Sequence, residues 1–240
     1  MIPTVIHYCW LGGEQPKLVK KCIESWKEKC PDYEIRCWNE DNFDLAINDY
    51  VAQAYQHKKF AFVSDFMRMY ILYNYGGIYL DTDFEVLKSF DDLLDDKGFT
   101  CFECDEYIGS WIFASEPKNP LFKEFLDYYQ DKKFVLANGQ LDTTANPKPL
   151  TNILSEKYGL SLDGTQQRLD NITVYPAEYF CPFDNATGVL KITDKTYGIH
   201  WFSKSWMSKS EIIISNITRV FHRLFGVDCF KSLNKLINRK

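Results

Sequence analysis

The chain has 240 residues, of which 45% are apolar and 16% aromatic, and a net charge of −5. That length can bury one substantial core, and the negative balance argues against a nucleic-acid binder, which has to neutralise many phosphates. Met1 leads straight into a strand pattern without a charged and apolar leader, and no stretch reaches the ~18 consecutive apolar residues of a membrane span, so a cytoplasmic protein is expected.

Residues 4–10 form a continuous apolar run, the pattern of a strand buried on both faces. Leu18, Cys22, Ile23 and Trp26 then recur at helical spacing over 17–29, up to Pro31. A second strand over 33–38 and a polar turn at 39–42 follow, so the sheet should open with a parallel β-α-β unit. After a helix over 44–58 comes the most informative stretch: an apolar helix carrying Asp65 and Arg68, a Gly76-Gly77 break, and a short strand ending in Asp81-x-Asp83. Glycine terminates helices because it takes the left-handed conformation at least cost. Asp65 and Arg68 stand one turn apart, and on so apolar a helix they should pair with each other or hold a ligand. Read as strand residues, Asp81 and Asp83 point the same way, and two adjacent carboxylates call for a cation between them. In α/β sheets ligands bind at the carboxyl ends of the strands.

Beyond this stretch, 99–103 and 108–114 read as strands, 119–129 as a helix, 137–149 as a polar loop over the site, and 150–158 as a helix. Residues 173–175, 179–181 and 197–201 read as short closing strands. The eight cysteines fit a reduced set, and Cys101-Phe-Glu-Cys104 lacks the second pair of a zinc ribbon. From 209 to 240 seven basic residues stand against two acidic ones, +5, which leaves −10 for 1–208. Ile213, Ile217, Val220, Phe221, Leu224 and Phe225 recur there at helical spacing. Such a basic amphipathic segment either lies on the inner face of the plasma membrane or docks on the domain with its charges in water.

The run Ser64-Asp65-x-x-Arg68 followed by Gly76-Gly77-Ile78-Tyr79-Leu80-Asp81-x-Asp83 resembles the DXD sugar-binding glycosyltransferases of family 32, which include fungal initiating mannosyltransferases and bacterial capsule and O-antigen enzymes. It is also similar to the glucosylating domains of large clostridial toxins. The opening Ile2-Pro-Thr-Val-Ile-His-Tyr-Cys-Trp10-Leu-Gly-Gly13 and the later Gly198-Ile-His200-Trp-Phe-Ser-Lys-Ser205-Trp206 extend the likeness to about residue 206. One segment departs from it: relatives often carry a Thr-Gly-Pro turn where this chain has Thr144-Ala145-Asn146-Pro147.

The resemblance implies a GT-A type α/β fold, a single Rossmann-like mixed sheet flanked by helices, over 1–208, with 209–240 as a helical tail. It implies a retaining transfer of a hexose or N-acetylhexosamine from a nucleotide-diphosphate sugar, a UDP-sugar favoured, to a glycan acceptor that can be lipid-linked, in capsular or surface polysaccharide synthesis. By the same carry-over Asp83 binds Mn²⁺ or Mg²⁺ directly and Asp81 contacts the donor's ribose or sugar, with Asp81 and His200 as the other metal positions. Asp81, Asp83 and Arg68 are the implied catalytic set. Trp10 would stack on the base, Asp65 and Arg68 would bond the sugar hydroxyls, Tyr79 would lie near the sugar nucleotide, and Ser205 and Trp206 would cap the diphosphate. His200 and Trp10 can equally be core residues. Glu103, Asp105 and Glu106 read as solvated loop charge within reach of an acceptor. The alternatives are an aspartyl-nucleophile phosphohydrolase, disfavoured by Phe84-Glu85 after the motif, and a non-catalytic sugar-binding module.

Overall fold

The computed structural model describes residues 1–104, 106–203, 209–227 and 229–230. The chain runs β1 (Val5–Cys9), α1 (Lys17–Lys29), β2 (Glu34–Trp38), α2 (Asp49–Gln56), α3 (Phe60–Tyr75), β3 (Gly77–Leu80), β4 (Phe84–Val86) and β5 (Gly98–Cys104). It continues through β6 (Tyr107–Ile108), β7 (Ile112–Ser115), α4 (Pro120–Asp127), α5 (Pro147–Tyr158), β8 (Gln167–Arg168), β9 (Thr173–Tyr175), α6 (Ala177–Phe180), β10 (Gly198–His200) and α7 (Lys209–Phe225). Seven strands form the path β2-β1-β3-β7-β5-β9-β8, with β6 paired to β5. The sheet is mixed: β2, β1 and β3 run parallel, as do β5 and β9, while β7 runs antiparallel to both its neighbours. The mixed α/β class and its parallel β-α-β opening are as expected from the sequence.

Both sheet faces are covered, which is why the inner strands are buried throughout. One face packs Tyr50, Phe66, Ile71, Phe122 and Leu150 of α2 to α5. The other packs Val19, Cys22, Ile23 and Trp26 of α1 with Phe84, Phe180 and Tyr197. On this second face lies a separate two-stranded antiparallel sheet, β4 with β10, in which His200 stands opposite Phe84. α1 fastens it: Trp26 Nε1 donates to the Phe84 carbonyl at 2.7 Å, and the Val86 amide donates to Ser25 Oγ at 3.0 Å.

Several boundaries differ from the sequence reading. Residues 108–114 split into β6 and β7, because Gly109 to Trp111 form a turn. Residues 177–180 are helical rather than strand, since Pro176 at the N-cap starts a turn of helix. α5 begins at Pro147, a position that suits the first helical turn, so the polar loop ends earlier than 149. Among the described residues no helix is long and apolar enough to cross a membrane.

The passage from α3 to β3 has a strict steric origin. Gly76 and Gly77 adopt φ of 66° and 92°, and a Cβ on Gly77 would come within 2.7 Å of the Val5 carbonyl oxygen. The turn is locked to β1 by His7, fully buried, whose Nε2–H donates to the Gly76 carbonyl at 3.0 Å. Its Nδ1 accepts from Trp38 Nε1 at 3.1 Å, so both ring nitrogens are committed and the ring is neutral. Burial pushes the His7 pKa down from 6.5 to about 4, with the Gly76 bond opposing. Because the folded value is the lower one, the unfolded chain takes the proton first as pH falls. Stability linked to His7 is therefore complete above pH 6.5 and lost on the way to pH 4. Urea unfolding across this window should show wild type losing on the order of 3 kcal/mol more than His7→Gln, and parallel profiles would show that the ring does not titrate in this way.

Candidate functional site

The site begins with a buried cation. Arg68, 3% exposed on α3, extends its guanidinium across the carboxyl end of β3. Nη2 lies 2.9 Å from Asp65 Oδ1, and Nη1 lies 3.3 Å from Asp81 Oδ1. Nη1 also donates to the Ser110 carbonyl, and Nε donates to the Ser64 carbonyl at 3.2 Å. The planar group sits 4.8 Å from the centre of the Tyr79 ring, a cation–π arrangement. Tyr79, buried below, donates its hydroxyl to Asp81 Oδ1 at 3.0 Å. The Asp65–Arg68 pair of the sequence reading thus exists, and it extends to Asp81. Burial disfavours the Arg68 charge, but Asp81, Tyr79 and Asp65 outweigh it and hold the guanidinium ionised. Burial pushes the Asp65 carboxyl up to about 6 against the pull of Arg68.

Asp81 and Asp83 do not lie in a strand. β3 ends at Leu80, and the Phe84 amide bonds back to the Asp81 carbonyl at 3.0 Å, closing a turn. The two carboxylates converge through this turn rather than through strand alternation, which corrects the geometry inferred from the sequence. The Asp81 amide donates to the Trp111 carbonyl at 2.8 Å, tying the turn to the start of β7. Asp83, 7% exposed, is gripped from the other side of the chain. Its Oδ2 accepts from the Ser203 amide at 2.7 Å, its carbonyl accepts from the Trp201 amide at 3.0 Å, and His200 Nε2 lies 3.3 Å from its Oδ1. Burial alone would raise the Asp83 pKa; the His200 charge and the bonds from His200 and Ser203 overcome it and hold the carboxyl well below the usual range. Phe202, at φ 50°, occupies left-handed space that a bulky residue rarely enters, and this turn aims the Ser203 amide at Asp83.

The His200 ring is held between aromatics, stacked on Trp111 at 4.4 Å and 13° and tilted against Phe202 at 4.1 Å. His200 Nδ1 and Trp111 Nε1 are buried and have no hydrogen-bond partner. Asp81, Asp83 and His200 each present one ligand atom, all within 4.8 Å of one another. Two carboxylate oxygens and one ring nitrogen form a donor set that fits a divalent cation.

The remaining expected residues are placed as follows. Trp10 follows β1 at the same sheet edge, half-buried, with Nε1 donating to the Gly13 carbonyl at 3.0 Å. Ser205, Trp206 and Asp105 lie outside the described residues. Glu106 is exposed, as expected of loop charge, but Glu103 belongs to β5 and is partly buried. Burial raises the Glu103 pKa, with the nearby His200 opposing, so that carboxyl is not the solvated group the sequence suggested. Asn146, in the segment that departs from relatives, reaches into the core: its Nδ2 donates to the Asp65 carbonyl at 3.3 Å and its Oδ1 accepts from the Tyr129 hydroxyl. Sequence reasoning missed Trp111 and the Ser203 amide. The first was signalled only by the Gly109-Ser110 break before it, and a backbone donor leaves no mark in a sequence.

Over part of its length the chain is similar to known proteins. A family model described as "Glycosyltransferase sugar-binding region containing DXD motif" matches residues 16–100. Inositol phosphoceramide mannosyltransferase 1 of Schizosaccharomyces pombe is 29% identical over 132 residues, covering 50% of this chain and 40% of the relative. The chain therefore spans well under two thirds of that protein. The uncharacterized glycosyltransferase L373 of Acanthamoeba polyphaga mimivirus is 24% identical over 208 residues, covering 82% of this chain and 72% of the relative. Among solved structures, the PaToxG glycosyltransferase aligns at a TM-score of 0.46 with 22% identity, over 65% of this chain and 69% of that one. Arg68, the glycine turn and both aspartates all fall inside the matched span, residues 16–100, over which this chain is similar to glycosyltransferases whose sugar-binding region contains the DXD motif.

Proposed function

We propose that this chain is a metal-dependent, retaining glycosyltransferase that moves a hexose or N-acetylhexosamine from a nucleotide-diphosphate sugar to a glycan acceptor. The observation that carries this reading is the convergence of Asp81, Asp83 and His200 beside the buried Asp65–Arg68 pair at the carboxyl end of β3. Asp81, Asp83 and His200 would hold a divalent cation, which when bound would supply positive charge against the diphosphate leaving group. Arg68 and Tyr79 hold Asp81 in position, and the Ser203 amide keeps Asp83 ionised and oriented. Asp65 and Arg68 are the groups offered to the donor's sugar hydroxyls, and a site built to pair hydroxyls rejects sugars that leave it unpaired. Trp10 offers a π face to the base, which favours no particular base. Retention follows from attack on the face the diphosphate leaves, with the departing phosphate taking the acceptor's proton, so no protein base is required. A UDP-sugar donor and surface polysaccharide synthesis remain our reading. The fungal relative's name specifies a ceramide lipid, which supports a lipid-linked acceptor here as well.

Three experiments test the site. Purified protein given UDP- and GDP-sugars should release nucleotide diphosphate from one donor in Mn²⁺ and not in chelator, and Asp83→Asn should lower that rate at least about 100-fold. Metal-independent release, or full activity in the variant, would refute the assignment. Arg68→Lys keeps the charge but loses the fork that holds Asp65 and Asp81 together, so kcat should fall at least about tenfold with the fold retained by circular dichroism; wild-type kcat would remove Arg68 from the mechanism. His200→Asp exchanges a nitrogen for an oxygen ligand and should move metal preference from Mn²⁺ toward Mg²⁺ in a binding titration. An unchanged preference would exclude His200 as a ligand.

A further inference from the structure

The last helix is attached the wrong way round for a helix that completes a core. A surface helix of a folded domain turns its apolar stripe inward and its charges to water. α7 instead leaves its apolar stripe exposed. Its attachment to the body is polar: Arg219 Nε donates to the Asn185 carbonyl at 3.2 Å, Nη2 donates to Asn185 Oδ1 at 2.9 Å, and the guanidinium lies 5.4 Å from the centre of the Phe183 ring. Gly188 makes room for this, since a Cβ there would meet Arg219 Cδ at 2.6 Å. Meanwhile Ile213, Ile217, Val220, Phe221 and Leu224, spaced along one face, are exposed by 44% to 69%, and Phe225 beside them by 69%. A contiguous apolar stripe of this length on a monomer marks a contact surface.

Charge decides what fits it. Residues 209–240 carry +5 while 1–208 carry −10. Two such stripes placed face to face would bring like charges together, whereas an anionic bilayer attracts this segment and repels the rest of the chain, which also orients the molecule. A helix of 17 residues is about 26 Å long, and with a charged face it lies in the bilayer interface and does not cross it. We propose that the exposed apolar face of α7 is a membrane-docking surface for anionic lipid, with its hydrophobic residues in the acyl boundary and the net positive charge of 209–240 drawing the segment to the headgroups. This goes beyond the donor-site reading and does not rest on it.

The test uses the full chain and sedimentation with phosphatidylcholine vesicles, with or without phosphatidylglycerol. Wild type should pellet with the anionic vesicles and be released by salt, and L224D/F225D should lower the bound fraction at least about tenfold. Both side chains are exposed, so the helical signal in circular dichroism and the binding of nucleotide sugar should be unchanged in the variant. Absence of pelleting with either vesicle, equal pelleting with both, or equal pelleting of wild type and variant would overturn the proposal. So would a wild-type dimer in light scattering that L224D/F225D splits without any vesicle binding, which would make the face a contact between copies.

Discussion

One buried guanidinium holds the centre of this molecule together. Arg68 touches two carboxylates, two backbone carbonyls and an aromatic ring, and through them it joins α3, the turn after β3 and the turn before β7. Two acidic groups so close would not both stay charged in a nearly dry site without it. Removing one partner from a buried ionic network typically costs about 3–5 kcal/mol, because the charge left behind has no water to return to. Lysine supplies the same charge at a single point and cannot span the same partners. The position of Asp81, and with it the geometry of the candidate metal site, is thus set from beneath by packing rather than by the site's own surface.

The second constraint is the small β4–β10 sheet. The turn carrying Asp81 and Asp83 leads directly into β4, and β10 pairs alongside so that His200 arrives opposite Phe84. Trp26 of α1 fixes β4 from behind, and Trp111 stacks on the His200 ring from the main sheet. The strained backbone at Phe202 is the local cost of turning the Ser203 amide toward Asp83. Structure from four separate parts of the chain therefore converges on a few ångströms.

How much of this could be read from residues alone depends on the kind of signal. Elements with one strong periodicity, such as α1 and α3, stand almost where the sequence puts them, and α1 has the expected bounds. The glycine turn was legible because only glycine tolerates its backbone. Short elements were not: 179–181 lost their strand character to Pro176, and the 108–114 run broke at Gly109. Asp81 and Asp83 were correctly paired for the wrong geometric reason, since a turn can bring residues i and i+2 together as well as a strand can. Glu103 was misjudged because burial of a charged group depends on which element crosses above it, and periodicity carries no such information. Which way the apolar face of α7 turns stayed open for the same reason.

The distance along the chain between the site's halves has a consequence for synthesis. The Ser203 amide meets Asp83 across 120 residues, and His200 joins from the same late segment. As the chain leaves the ribosome, the span that matches the family model ends at residue 100, yet the third candidate ligand and the clamp on Asp83 have still to be made. The span that matches the family model is shorter than the span that assembles the candidate site. A fragment ending with that span would carry only two of the three candidate ligands, and a nascent chain brings all three together only after residue 200 has emerged.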